Sequence, residues 1–278
     1  MNKLERIKKQ LGEPYFETKG FLLYNMDCVK GMKLIDGHLV NLTITSPPYN
    51  IGKEYETVLN THQYIDWCIE WIKEIRDITA SNGAFLLNLG YFEVPQKGNA
   101  VPIPYLLWDK TDFYLMQEIV WNYGAGVAAR RALSPRNEKI LWYVMNKNDY
   151  VFNLDAIRDK DVKYPNQKKN GKLRCNTLGK NPSDVWQIAK VTSGTNRSSP
   201  ERAPHPAQFP MDMIDRIIKG FSNKGDLVLD PFIGSGTTAE VALRNSRLVI
   251  GFEINKSYCD YVVKRIKNGV NEVQHQLT

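Results

Sequence analysis

Apolar positions along the chain alternate between two periods. Phe21–Tyr24 and Val40–Thr45 are short runs of aromatic, aliphatic and β-branched residues and predict strands, while residues 29–35 between them carry apolar side chains at helical spacing. Ile65, Cys68, Ile69, Ile72 and Ile75 then recur every three or four positions, so 64–78 predicts an amphipathic helix that Ser81-Asn82-Gly83 stops. A buried strand follows over 84–89. The proline and glycine content of 91–104 predicts irregular chain, and 115–121 and 140–145 read as two further strands. Helical spacing resumes at Met211–Phe221 and alternates thereafter: a strand at 227–229, a helix at 237–243, a strand at 248–251 and a helix at 258–266, with a polar tail after Asn268 expected to fray. Strands alternating with helices at both ends of the chain predict an α/β sheet covered on both faces.

Periodicity fails between these two blocks. From 146 to 204 lysines and arginines, from Lys160 to Arg202, sit among Asn, Ser, Gly and Pro, which reads as an insertion. The expected organisation is therefore one domain assembled from 1–145 and 205–278, interrupted by 146–204. At 278 residues, 42% of them hydrophobic, the chain is long enough for one large core. Its 37 Lys and Arg against 30 acidic residues give a formal charge of +7, which suits a polyanionic partner without proving one. Cys28, Cys68, Cys175 and Cys259 form no CxxC pair, which disfavours a disulfide scaffold and a zinc site, and His38, His62 and His275 lack ligand spacing, so no metal is expected. No apolar stretch approaches the ~18 residues of a membrane span, and the expectation is a soluble cytoplasmic protein.

Two motifs carry candidate chemistry. Asp230-Pro231-Phe232-Ile233-Gly234-Ser235-Gly236-Thr237-Thr238 lies between a strand and a helix, with Glu253 at the end of the next strand. Glycines allow a tight turn and close approach of a ligand, and a carboxylate so placed accepts hydrogen bonds from ribose hydroxyls. Thr45-Ser46-Pro47-Pro48-Tyr49-Asn50 follows an apolar strand. Two prolines make that loop rigid and leave neighbouring carbonyls without their usual local pairing. An exocyclic amine on a base has its lone pair delocalised into the ring. It attacks a methyl sulfonium only when acceptors, here Ser46 and the Pro47 carbonyl, draw its protons, while Tyr49 is suited to stack on the base.

Together these motifs, in this order, resemble the amino-methylating DNA methyltransferases of the beta class, in which Ser-Pro-Pro-Tyr precedes the cofactor motif. The resemblance runs from Tyr24 to Arg265. It implies a Rossmann-like S-adenosylmethionine-dependent methyltransferase sheet with a target-recognition insertion. Ser46, Pro47, Pro48 and Tyr49 take the catalytic positions, and Asp230, Phe232, Gly234, Ser235, Gly236, Thr237 and Glu253 the cofactor positions. Asn25-Met26-Asp27-Cys28 is similar to the family's acidic adenosyl-contacting turn, which points to Asp27. The segment 205–210 is similar to the stretch leading into the cofactor motif and contributes His205 and Phe209. The insertion stands where the family keeps its recognition region, so Lys168, Lys169, Lys172 and Arg174 are expected on double-stranded DNA. Asn181-Pro182-Ser183-Asp184-Val185-Trp186 resembles a segment near its end.

The resemblance further implies a prokaryotic or phage enzyme of a restriction–modification system, with a cognate endonuclease as genetic partner; homodimers occur in the family. Serine before the prolines is typical of its cytosine-N4 enzymes, with adenine-N6 the alternative. Methylation at cytosine C5 needs a cysteine after a proline, and here the four cysteines follow Asp27, Trp67, Arg174 and Tyr258. Protein-glutamine methyltransferases carry their cofactor motif first and usually Asn before the prolines. A non-catalytic DNA-binding module is the reading from another class, and it has no need of S-adenosylmethionine.

Overall fold

The computed structural model describes residues 2–54, 56–124, 128, 130–191, 199 and 201–275, with 270–275 described by backbone alone. Its strands in chain order are β1 (Phe16–Thr18), β2 (Phe21–Tyr24), β3 (Val40–Thr45), β4 (Thr79–Leu89), β5 (Tyr91–Val94), β6 (Gly98–Pro102), β7 (Tyr114–Asn122), β8 (Asn137–Val144), β9 (Lys168–Lys169), β10 (Lys172–Leu173), β11 (Val185–Gln187), β12 (Leu227–Asp230) and β13 (Leu248–Phe252). Nine of them form one sheet in the order β1-β2-β13-β12-β3-β4-β8-β7-β11. Neighbours from β2 to β4 run parallel, β8 is antiparallel to both β4 and β7, and β11 is parallel to β7.

Alternation along the strands divides the core in two. Leu22, Tyr24, Phe85 and Leu87 point to one face, where they meet α1 (Lys3–Leu11), α2 (Cys28–Met32), α3 (Thr61–Ile78) and α4 (Pro104–Leu107). Phe21, Leu23, Ala84 and Leu86 point to the other, against α5 (Met211–Phe221), α6 (Thr237–Arg244) and α7 (Lys256–His275). Helix α5 shows the cause: Met213, Ile214, Ile217, Ile218 and Phe221 fall on one stripe and are all buried, each contributing roughly 1.5–3 kcal/mol by leaving water.

Several elements depart from the sequence expectation. Helix α1 forms because Asn2 and Glu5 make a reciprocal capping box and Leu4 and Ile7 are buried. Ser81-Asn82-Gly83 stops nothing: α3 ends at Ile78, Thr79 is already extended, and β4 runs through the triplet with a bulge opposite β3. Residues 91–102 form the hairpin β5–β6, in which Gln96 takes a positive φ and Pro102 occupies an edge position. The tail is helical, since α7 continues to His275. The segment 146–204 contains β9, β10 and β11, and β11 joins the main sheet; residues 192–198 and 200 of it lie outside the described residues.

Candidate active site

The two motif loops leave the carboxyl ends of β3 and β12, which are adjacent and parallel. The Thr45 hydroxyl donates to the buried Asp230 carboxylate at 2.9 Å, joining the loops across about 185 residues of sequence. Beyond the strand ends lies a cavity of ≈ 540 Å³, within the size range of small-molecule pockets. Ser46, Pro47, Pro48 and Tyr49 form part of its wall; Asp27, His205, Phe209, Asp230, Phe232, Gly234, Ser235, Thr237 and Glu253 form another part.

Among the cofactor positions expected from sequence, Gly236 is the exception. A Cβ on it would meet Val262 of α7 at 3.1 Å rather than enter the cavity. Its φ of 75° at the start of α6 explains the glycine, because other residues rarely take that conformation. Gly234, with φ 48°, is the close-approach glycine: a Cβ there would lie 2.8 Å from Nε2 of His205. Oε2 of Glu253 accepts the Gly234 N–H at 3.1 Å and Oε1 accepts the Asn255 N–H at 2.8 Å, so the carboxylate is fixed beside the turn. Arg265 braces the turn from behind, donating to the Ser235 carbonyl at 3.2 Å while it ion-pairs with Glu240. Asp27 caps α2 by accepting the Lys30 N–H at 3.0 Å. Phe232 packs against Trp67 and Trp71 of α3, at ring distances of 5.7 and 5.4 Å.

Burial pushes Asp230 up to about 6 against the lowering effect of its donors Thr45 and the Phe232 N–H. It raises Glu253 and lowers His205, which is therefore held toward its neutral form.

The proline loop is held by residues the motif reading did not include. The Glu56 carboxylate accepts the N–H groups of Tyr49 at 2.8 Å, Ile51 at 2.8 Å and Lys53 at 3.1 Å. Asn50, at φ 61°, exchanges two hydrogen bonds with the backbone of Leu59. Not every proline carbonyl faces outward, since that of Pro48 accepts from the Tyr64 hydroxyl at 2.8 Å. Ser46 Oγ donates to the Tyr49 hydroxyl at 2.8 Å.

Behind Tyr49 stands a polar cluster that also faces the cavity: Asn88 at the end of β4, Glu138 at the start of β8 and Lys190 after β11. The Tyr49 hydroxyl reaches Glu138 Oε2 at 3.1 Å, Asn88 Nδ2 donates to that same oxygen at 2.7 Å, and Lys190 Nζ donates to Oε1 at 2.7 Å. Burial first, and the Glu138 charge second, hold the Tyr49 phenol well above its usual range. The one legible hint was an acid two residues ahead of the apolar run 140–145; its partners Asn88 and Lys190, on two other elements, had none.

Lys168, Lys169, Lys172 and Arg174 are absent from the cavity wall. They lie on the exposed hairpin β9–β10 and just after it, turned by Asn170 and Gly171, both at positive φ. Among the described residues no cluster of His, Cys, Asp or Glu could hold a metal, and no helix is long and apolar enough to cross a membrane.

Residues 40–264 match the DNA methylase family. The chain is 57% identical to the type II methyltransferase M.ScaI of Streptomyces caespitosus, over 95% of this chain and 87% of that protein. It is 32% identical to the DNA adenine methyltransferase YhdJ of Escherichia coli (strain K12), over 90% and 84%. Its fold is similar to that of the PvuII cytosine-N4-specific DNA methyltransferase, with a TM-score of 0.69 at 20% identity, covering 94% of this chain and 95% of that one. It is also similar to M1.HpyAVI in complex with SAM, with a TM-score of 0.59 at 24% identity, covering 88% and 98%.

Proposed function

The chain belongs to the DNA methylase family, and from that premise we propose that it transfers a methyl group from S-adenosylmethionine to the exocyclic N4 of a cytosine swung out of duplex DNA. The observation that carries the reading is the single cavity shared by Ser46-Pro47-Pro48-Tyr49 and the turn at Gly234. The residues present fit the methyl donor. Asp27, Asp230 and Glu253 give its side of the wall a negative character suited to a sulfonium, and Gly234 leaves open the space a Cβ would take beside His205. Glu253, oriented by two backbone N–H groups, keeps acceptor capacity for ribose hydroxyls. When bound, S-adenosylmethionine supplies an electrophilic methyl group.

The chain's own part is positioning. A paired, stacked amine cannot meet the methyl carbon, so the base leaves the helix at a cost of a few kcal/mol, recovered in part by contact with Tyr49. Ser46 Oγ already donates its proton to Tyr49, so toward the base it acts as an acceptor, which draws the amine protons and restores nucleophilicity. Lys168, Lys169, Lys172 and Arg174 serve as phosphate contacts. Methylation in this reading is the protective half of a restriction–modification system, as the name of the type II relative suggests.

Serine before the prolines supports cytosine; the adenine reading is favoured by the likeness to YhdJ. The test is nucleoside analysis of plasmid DNA after incubation with the protein and S-adenosylmethionine. N4-methylcytosine is expected, N6-methyladenine would replace the substrate, and 5-methylcytosine or no methylated base would overturn the mechanism.

A further inference from the structure

We propose that Glu138, held in place by Lys190, is a positioning residue of the transfer: it orients the Ser46–Tyr49 hydroxyl pair and receives, through Tyr49, the proton that the target amine gives up. This rests on the reading that Ser46 meets the amine.

The count of protons fixes the direction of the chain. Tyr49 has one hydroxyl proton and a carboxylate can only accept, so the contact with Glu138 is a donation from Tyr49. The Asn88 carbonyl, at 3.2 Å, competes for that proton, but a charged acceptor is the stronger one. With its proton committed to Glu138, the Tyr49 oxygen must accept, and it accepts from Ser46 at 2.8 Å. Ser46 is thereby left with lone pairs toward the cavity. Asn88 reinforces the order by donating both to the Tyr49 oxygen and to Glu138 Oε2, each at 2.7 Å.

The same chain solves the exit problem of the reaction. When the nitrogen–methyl bond forms, the methyl–sulfur bond breaks and its electron pair stays on sulfur. The nitrogen then carries a proton too many. That proton passes to Ser46 Oγ as the serine proton moves to Tyr49 and the tyrosine proton to Glu138, so one carboxylate becomes a carboxylic acid and every hydroxyl is restored. Tyr49 needs no phenolate for this.

The surroundings hold the Glu138 side chain in place. The Glu138 and Lys190 side chains are 12% and 23% exposed and 2.7 Å apart, and Lys190 also lies over the Tyr123 ring at 3.8 Å. Groups facing Glu138 are Tyr49 from the β3 loop, Asn88 from β4, Tyr123 after β7 and Lys190 after β11. Its neighbour Lys139 turns instead to Tyr91 of β5.

The test compares Glu138→Gln, Tyr49→Phe and the double variant in single-turnover methylation of duplex DNA at saturating S-adenosylmethionine. Each single variant should lose roughly a hundredfold in rate, the scale of one assisted proton transfer, with DNA and S-adenosylmethionine affinity within about threefold. The double variant should be no slower than either single one, because both cut the same chain. A Glu138→Gln rate within about threefold of wild type, or additive losses, overturns the proposal. If Glu138→Gln does not fold, Tyr49→Phe keeps the question open to refutation: a wild-type rate in that variant overturns it equally. Nucleoside analysis separates the failures. A wild-type protein that methylates no amino group removes the underlying reading, whereas amino methylation with an undiminished Glu138→Gln rate removes only the relay.

Discussion

The cavity at the strand ends and the lobe from Asp159 to Lys180 are built on opposite plans. Around the cavity, loops are gathered by carboxylates: Glu56 takes three backbone N–H groups, Glu253 two, and Asp27 caps a helix. The lobe is closed at its base by a reciprocal pair of backbone hydrogen bonds between Asp159 and Lys180, 3.0 and 2.9 Å long. Beyond that closure its lysines are exposed, and so are Tyr164, Leu173 and Leu178. The difference teaches where each region obtains its order. The cavity's loops are fixed by internal hydrogen bonds, whereas the lobe presents charge and apolar area to solvent.

The largest way to break the contrast is to attack the brace behind the glycine turn. Glu240→Ala leaves Arg265, 8% exposed at its side chain, without its buried partner, and should cost about 3–5 kcal/mol in a urea titration. Ser46→Ala should act on rate alone, lowering turnover about 10²–10³-fold while calorimetry finds S-adenosylmethionine affinity little changed.

Asp230 gives a pH signature. Its folded value, near 6, lies above that of the unfolded chain, so the stabilising effect of its bound proton is complete below pH ~4 and lost as pH rises through about 6. Relative to wild type, Asp230→Asn should therefore gain stability across that window, by about 3 kcal/mol at most; equal urea midpoints at every pH would contradict it. In the lobe the effect should be smaller and of another kind. Replacing Lys168, Lys169 and Lys172 by Ala should leave the melting curve unchanged and flatten the salt dependence of DNA affinity, by about 0.9 in logarithmic slope for each phosphate no longer neutralised.

How much of this was legible follows from what local pattern encodes. Strands β2, β3, β12 and β13 and the helices α3, α5 and α6 were readable because both faces of the sheet are dry and the apolar periods are unbroken. Helix α1 was missed although its capping box, Asn2 and Glu5, is written in the sequence. Gly236 was read as facing a ligand when it faces Val262, since a sequence gives a glycine's freedom and not its neighbour. Glu138, Asn88 and Lys190 were out of reach for a stronger reason: they meet only through strand pairing among β4, β8, β7 and β11, and no spacing along the chain records it.

The reciprocal Asp159–Lys180 closure also bears on where the segment can be exchanged between relatives. A graft cut at the apparent ends of the insertion, 146 and 204, would carry away β11, the Ile188 carbonyl that accepts from Trp121 Nε1 at 2.7 Å, and Lys190 with its hold on Glu138. Cut at Asp159 and Lys180 instead, the lobe is a cassette whose two ends already sit side by side, so a foreign loop of different length meets the same anchor points while the cavity wall keeps all of its own residues.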